Sequence, residues 1–465
     1  VTRKFDVVIV GAGPAGLFAA LELSSVPGLK VLLLEKGNDI KKRHCPIKAD
    51  KVTCRHCSPC SVVCGVGGAG AFSDGKLTLT SDFGGLLNEI LGREALDNLI
   101  EYIDGIYRRF GGTQEVFGED REAIRTLKKQ AAAADLSLIP ARVRHLGTDK
   151  CLEIVSRIRD YLAHRVEIVT NSPVERLLCS NQQAGGVILS GGEEISADYI
   201  ICGPGREGSE WFAKEADRLG LPASSNPVDI GVRVEVPAAV LEHITDTIYE
   251  SKLIYYSRSF DDRVRTFCMN PHGEVVIENN SGLITVNGHS YAEKQTENTN
   301  FALLVSKSFT EPFKEPIRYG KNVAQLANML GGGVLLQRLG DLQDGRRSTA
   351  ERINRGLVKP TLGDATPGDL SLVLPYRHTV SILEMLEALD KIAPGINSRH
   401  TLLYGVEVKF YSSRMAVSSC LETRIANLFA VGDGAGITRG LAQASASGVT
   451  AAREIIRRKN NSDRR

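Results

Sequence analysis

The chain contains no run of 18 or more apolar residues, so no helical membrane span is expected. Its opening apolar strand is interrupted at Gly11 and Gly13 and lacks the cleavage pattern of a signal peptide. An excess of one charge is also missing. The chain has 57 Lys and Arg against 55 Asp and Glu, a net charge of +2, which points to no polyanionic partner. Basic clusters such as Lys41-Lys42-Arg43, Arg108-Arg109 and Lys128-Lys129 are scattered, and the basic tail Arg457 to Arg465 is diluted by Asn, Ser and Asp. Nucleic acid is therefore not an expected partner. No internal repeat or low-complexity segment occurs. What remains is ordinary for a globular protein: 42% hydrophobic and 24% charged residues over 465 positions, long enough for two domains. Ten cysteines could suggest secretion, but five lie within twenty residues, from Cys45 to Cys64, which suits a metal or redox site in the cytoplasm better than a disulfide framework.

The N-terminus carries the most informative pattern. An apolar strand from Phe5 runs into Gly11-x-Gly13-x-x-Gly16, a helix follows from Ala15 to Leu23, and a second strand, Lys30 to Leu34, ends in Glu35. Strand, glycines, helix, strand and acid in this order form a dinucleotide fingerprint. The glycines permit a tight turn, close approach to a pyrophosphate at the helix N-terminus, and helix-strand packing; the acid takes ribose hydroxyls. Gly11, Gly13, Pro14, Ala15, Gly16, Glu35 and Lys36 are thus candidate cofactor residues.

More than four hundred residues later, Asn427-Leu-Phe-Ala-Val-Gly-Asp-Gly434 resembles the second FAD signature of two-dinucleotide-binding-domain (glutathione-reductase-like) flavoproteins. That resemblance implies that Gly432 and Asp433 hold the flavin ribityl chain. It also implies that Gly440 and Ala442 lead into a helix, through Val449 to Ile456, whose N-terminus faces the flavin. Ile195 to Gly205 is similar to the strand and glycine turn that return the chain to the FAD domain, adding Gly203 to the candidates, with Val174 at the start of the earlier strand Val174 to Cys179. No second complete glycine fingerprint is present for NAD(P)H.

Between these marks lies Cys45-Pro46 and then Cys54-x-x-Cys57-x-x-Cys60-x-x-x-Cys64. The last four reproduce a bacterial ferredoxin spacing, except that Gly65 replaces the proline and no second run exists. A [4Fe-4S] cluster is expected on Cys54, Cys57 and Cys60 with Cys45, or alternatively Cys64, as the fourth ligand. Structural zinc, or a redox dithiol, is the competing reading. The glycine run Gly65 to Lys76 follows directly, and Gly67, Gly68, Ala69, Gly70, Ser73 and Asp74 are expected along the cofactor. The cysteines and this run together resemble a family of FAD-dependent dehydrogenases distantly akin to geranylgeranyl reductases. Val143 to Asp149, Arg265 to Met269 and Gly405 to Val408 extend the resemblance over most of the chain.

The expected fold is α/β: a Rossmann-like FAD-binding domain with an antiparallel meander, plus a smaller α+β substrate or cap domain. Residues 1–225 and 405–465 are assigned to the first, including a helical insert at 84–165, and 226–404 to the second. Helical periodicity predicts Asp149 to His164 and Val380 to Ala393, and alternation predicts strands Ile230 to Val236, Val264 to Met269 and Val275 to Asn279. Candidate acid-base groups are His145, His289 and Lys76, with Arg144, Arg265, Glu407 and Arg414 behind them; the two histidines rank first because imidazole titrates near neutral pH and both lie in polar, glycine-flanked segments. Cys268 is expected in the core. The function expected is FAD-dependent hydride transfer to or from a small organic substrate, with C=C reduction among the options and a ferredoxin-like donor feeding the cluster. A tRNA-modifying flavoprotein and a zinc or thiol redox sensor are the alternatives.

Overall fold

The computed structural model describes residues 3–45, 57–280, 282–291, 295–309, 311–313 and 315–462. The chain divides into two compact units. The first comprises Val1–Gln114, Leu146–Asn226 and Tyr411–Arg465, and the second Glu115–His145 and Pro227–Phe410.

In the first unit the strand Arg3–Val10 pairs in parallel with Val31–Leu34 on one side and Glu194–Cys202 on the other. Glu167–Val169 extends the sheet beyond Val31–Leu34, and Leu428–Ala430 joins Glu194–Cys202, both in parallel. Residues Val7 to Ile9 and Leu32 to Leu34 are essentially inaccessible, as a parallel sheet covered on both faces requires. Val174–Ser180, Gln183–Leu189 and Glu194–Cys202 form the expected antiparallel meander, with a turn at Gly192 in the left-handed region, φ +81. The helix Pro14–Leu23 packs against the C-terminal helix Leu441–Ser462, and a Cβ on Gly448 would lie 1.9 Å from the Ala15 carbonyl oxygen. This helix begins eight residues before the expected Val449, because its first two turns are small residues that pack closely rather than show apolar periodicity.

The second unit is built on an eight-stranded sheet in the order Thr366–Pro367, Leu335–Arg338, Leu402–Lys409, Val228–Pro237, Asn298–Lys307, Arg263–Asn270, Lys252–Tyr256 and Ser137–Ile139. Ile230, Val232, Val234 and Val236 of the central strand enter an apolar core with residues from the helices Pro316–Gly331 and Tyr376–Asp390. The intervening Asp229, Arg233 and Glu235 point to the other face, yet none is more than 2% exposed. The hairpin Glu274–Asn280 and Leu283–His289 packs over that face.

Two boundaries differ from expectation. The insert 84–165 does not lie wholly in the first domain: Glu115–His145 belongs to the second unit, where Ser137–Ile139 pairs with Lys252–Tyr256 and the helix Arg121–Ala133 contributes Leu127 and Ala131 to its core. The return falls after Phe410 rather than at 405, because Leu402–Lys409 stays in the eight-stranded sheet. Among the described residues, no helix is long and apolar enough to cross a membrane.

Candidate functional site

The fingerprint glycines have different reasons to be glycine. A Cβ at Gly11, whose φ is +97, would lie 2.3 Å from the Gly203 carbonyl oxygen, and one at Gly16 would lie 1.9 Å from the Gly11 carbonyl oxygen. Both are demanded by the protein's own packing. Gly13 is not: its φ of −73 suits any residue, and among the described residues the one neighbour its Cβ would meet is the Gly68 Cα at 4.0 Å. Gly13 is also the N-cap of the helix Pro14–Leu23, which has no side-chain cap and carries Pro14 at its first position. An uncapped helix N-terminus with a methyl-sized space beside it is a place for a phosphate to approach the backbone.

Glu35 ends the second strand, 6% exposed. Its carboxylate accepts from Ala12 N at 2.9 Å, Gly37 N at 2.9 Å and Gly65 N at 3.0 Å. A carboxylate has about four lone-pair sites, so capacity remains for one ribose hydroxyl. Ser172 N and Asn171 N donate to the carbonyls of Glu35 and Gly37, which sets the entry to Val174. Lys36 reaches Glu207 at 3.5 Å.

The glycine run lies against the fingerprint. Gly67 N donates to Ala12 O at 2.7 Å, and Gly67 and Gly68 take left-handed φ values of +91 and +56, which open the short helical turn Gly68–Phe72 containing Ala69 and Gly70. Ser73 Oγ closes back on Gly70 O at 2.8 Å, and Asp74 pairs with Lys76 at 2.8 Å. At the distal end, Thr438 Oγ1 donates to Asp433 at 2.6 Å and Arg206 stands 3.9 Å from the same carboxylate. Burial pushes the Asp433 carboxyl above the usual range, with Arg206 and Thr438 pulling the other way. Additional hydroxyl donors, such as those of a ribityl chain, would relieve that burial. Gly432 sits against Ala15, Gly203 packs on Val431, and Gly440 and Ala442 flank the start of the C-terminal helix. These residues fit FAD: the donor-rich helix end, the cradle at Gly13 and two carboxylates spaced along the chain are the chemistry it needs.

The cysteines are placed less completely. Cys60 and Cys64 occupy one turn in which Cys64 N donates to Cys60 O at 2.9 Å; Cys57 is exposed, Cys45 and Cys60 are half-buried, and Cys64 is buried, its thiol pushed up to about 11. Cys54 lies outside the described residues, among which no three His, Cys, Asp or Glu side chains gather as a metal site.

In the second unit the buried polar face of the sheet holds a continuous network. Arg233, fully inaccessible, donates to Glu407 from Nε at 2.8 Å and Nη2 at 3.3 Å, and from Nη1 to Asn300 Oδ1 at 2.8 Å, Asn270 Oδ1 at 3.0 Å and the Cys268 carbonyl at 3.0 Å. Lys409 lies 3.0 Å from Glu407 and 3.5 Å from Glu278. Burial works against its ammonium, but these two carboxylates outweigh it and the pKa rises. Through Asn270 Nδ2 the network reaches Ser290 Oγ at 3.5 Å. Ser290 Oγ is 3.1 Å from His145 Nε2 and accepts from Tyr249 OH at 2.8 Å, while the Tyr249 hydroxyl is 3.2 Å from the same nitrogen and its ring stacks on the imidazole at 4.4 Å.

The structure therefore brings His145 and Glu407 into one network, together with Arg233, Lys409, Asn270, Ser290 and Tyr249. His289 ends the covering hairpin opposite Glu274, next to Ser290. Lys76 belongs to the first unit. Arg265 is paired with Asp229, Arg144 Nη1 donates to Glu115 O at 3.2 Å, and Arg414 meets Glu89 at 3.0 Å. Cys268 is not core: it is half-buried at a bulge with φ +47, its thiol 3.6 Å from Asn270 Oδ1 and 3.9 Å from Asn287 Oδ1. Sequence reasoning missed Arg233, Lys409 and Tyr249. The signal present was an arginine and a glutamate at alternate positions of an otherwise apolar strand.

Residues 227–410 match the family model described as FAD-dependent protein, C-terminal domain-like, and residues 2–40 match the Thi4 family. An uncharacterized protein of Clostridium beijerinckii is 27% identical over 474 residues, covering 97% of this chain and 81% of that protein. Solved structures with similarity include pyridoxine 4-oxidase from Mesorbium loti (15% identity, TM-score 0.45, 97% of each chain) and L-proline dehydrogenase from P. horikoshii (12%, 0.42, 98% of this chain and 94% of that one). The family match over residues 227–410 is to FAD-dependent proteins, and the cradle around Gly13 and Glu35 fits that cofactor. The C-terminal-domain match, 227–410, coincides with the main segment of the second unit.

Proposed function

We propose that this protein is an FAD-dependent oxidoreductase that transfers hydride between flavin N5 and a small organic substrate, reducing a C=C bond or dehydrogenating a saturated one. Bound FAD would supply the two-electron chemistry. The observation that carries the cofactor reading is Gly13, a glycine that no protein neighbour requires, beside an uncapped helix N-terminus. The chain's own part is then binding and proton handling. Gly13 and the first turn of Pro14–Leu23 take the pyrophosphate, Glu35 the adenosine ribose and Asp433 the ribityl hydroxyls. In the second unit, His145 Nε2 lies within hydrogen-bond reach of two hydroxyls, so a proton can be held at that nitrogen or exchanged with Ser290 and Tyr249. His289 and Lys76 are the further acid-base candidates.

The spacing of Cys54, Cys57 and Cys60 supports a [4Fe-4S] cluster completed by Cys45 or Cys64, and hence an electron donor of the ferredoxin kind, with zinc as the other occupant this spacing suits. The test is a visible spectrum with iron, sulfide and zinc analysis on protein purified without oxygen. Flavin bands with about four irons per chain support the relay; flavin bands with zinc, or with no metal, remove it. Rapid anaerobic reduction by NADH alone would overturn the ferredoxin-type donor.

A further inference from the structure

Arg43 ends the basic cluster Lys41-Lys42-Arg43, yet the residue is 7% exposed and lies against the cysteine-glycine loop. Its donors go to main-chain carbonyls on both sides of that loop. Nε reaches Ser61 O at 2.9 Å and Nη2 reaches Val62 O at 2.8 Å; Nη1 reaches Val66 O at 2.7 Å and Gly68 O at 2.8 Å, with Gly65 O at 3.5 Å. The guanidinium also stacks over Phe72 at 4.7 Å.

The loop so held has its other contacts on the cofactor cradle. Gly65 N donates to the Glu35 carboxylate, Val66 N to Asn38 O at 3.0 Å, Gly67 N to Ala12 O, and Gly68 stands across from Gly13. Five backbone units from Ser61 to Gly68 are thus fixed from below by one planar fork while the same stretch meets the residues that would hold ribose and pyrophosphate from above. A lysine cannot substitute in kind, because a point ammonium does not bridge two pairs of carbonyls in one plane.

We propose that Arg43 is a positioning residue for FAD: it acts through the 61–68 loop, which it sets against Ala12 and Gly13. This rests on the FAD reading above. That reading fails separately if the wild-type protein retains no flavin.

The experiment is FAD release from holoenzyme, followed by flavin fluorescence after dilution, for the wild type, Arg43→Met and Arg43→Lys, with flavin circular dichroism and thermal unfolding measured in parallel. Release from Arg43→Met is expected to be faster by about tenfold or more, with an altered flavin dichroism. Arg43→Lys is expected to fall between, keeping the charge and losing the bridge. A merely structural role would lower the unfolding temperature and leave release rate and dichroism at wild-type values, which overturns the proposal. Should Arg43→Met not fold, Arg43→Lys decides: faster release with a folded protein supports the role, and wild-type release refutes it.

Discussion

Glu407→Gln tests the buried polar face most directly. In the native unit this carboxylate stands between Arg233 at 2.8 Å and Lys409 at 3.0 Å, with both Glu407 and Arg233 fully inaccessible and Lys409 nearly so. Glutamine keeps the shape but removes the negative charge, leaving two buried cations with Glu278, 3.5 Å from Lys409, as the carboxylate that remains in the group. Breaking a buried pair from one side costs about 3–5 kcal/mol. The upper end is capped, because Lys409 can escape by releasing its proton. From an ordinary pKa of 10.5 that release costs about 5 kcal/mol at pH 7, and about 1.4 kcal/mol less for each unit of pH above it. The loss should therefore be 3–5 kcal/mol at pH 7, a fall of roughly 6–20 °C in the unfolding temperature of a unit of this size, and should shrink as pH approaches 9. Circular dichroism during heating and urea unfolding at both pH values measures it. Adding Lys409→Met to the variant removes one of the two stranded cations and should recover part of the loss. A loss below about 1 kcal/mol at pH 7, or one that grows with pH, would show that the pair is solvated and the reasoning wrong.

Three further outcomes are expected. Gly13→Ala should leave the unfolding temperature near wild type, since its Cβ meets only Gly68 at 4.0 Å, yet weaken FAD retention by about tenfold or more; full retention would mean that the phosphates lie elsewhere. Gly448→Ala should destabilise the first unit by about 1–3 kcal/mol in chemical denaturation, because the new methyl would sit 1.9 Å from the Ala15 carbonyl oxygen, and an unchanged midpoint would contradict the tight helix packing. His378 is buried, neither ring nitrogen has a hydrogen-bond partner among the described residues, and burial, aided by Lys307, lowers its pKa to about 4. A depressed folded pKa gives stability that is fully present above the unfolded value of 6.5 and is lost as pH falls toward 4, on the order of 3 kcal/mol at most. Compared with His378→Leu, the wild type should lose more stability across that window, and parallel pH profiles would exclude the effect.

The legible and illegible parts of the chain separate by the range of the interactions involved. The fingerprint, Glu35 and the Gly432-Asp433 turn are legible from their spacing: Gly16 closes on the nearby Gly11 carbonyl and Gly13 is left to a ligand, although Gly11 itself packs against the distant Gly203. Even there, spacing did not distinguish Gly13, left open for a ligand, from Gly11 and Gly16, which are required by packing. Arg43 was noted only as part of a scattered basic cluster, because nothing in Lys41-Lys42-Arg43 reveals that carbonyls from Ser61 to Gly68 fold over it. In Ile230-Gly-Val-Arg-Val-Glu-Val236 the alternation identified the strand, and in most sheets the polar face of such a strand meets water. Here a hairpin some forty residues further on closes that face, so Arg233 and Glu235 must find partners inside the protein. Arg233 finds Glu407, 174 positions away, and Glu235 is held by Tyr404, Thr361 and Asn298 without a cation, its carboxyl pushed upward by burial against those hydrogen bonds. The same long range hid Glu115–His145: its helix has an apolar stripe that would suit either unit, and only the pairing of Ser137–Ile139 with Lys252–Tyr256 assigns it. That assignment matters for function, since it carries His145 into the network of the second unit. There it meets Ser290 and Tyr249.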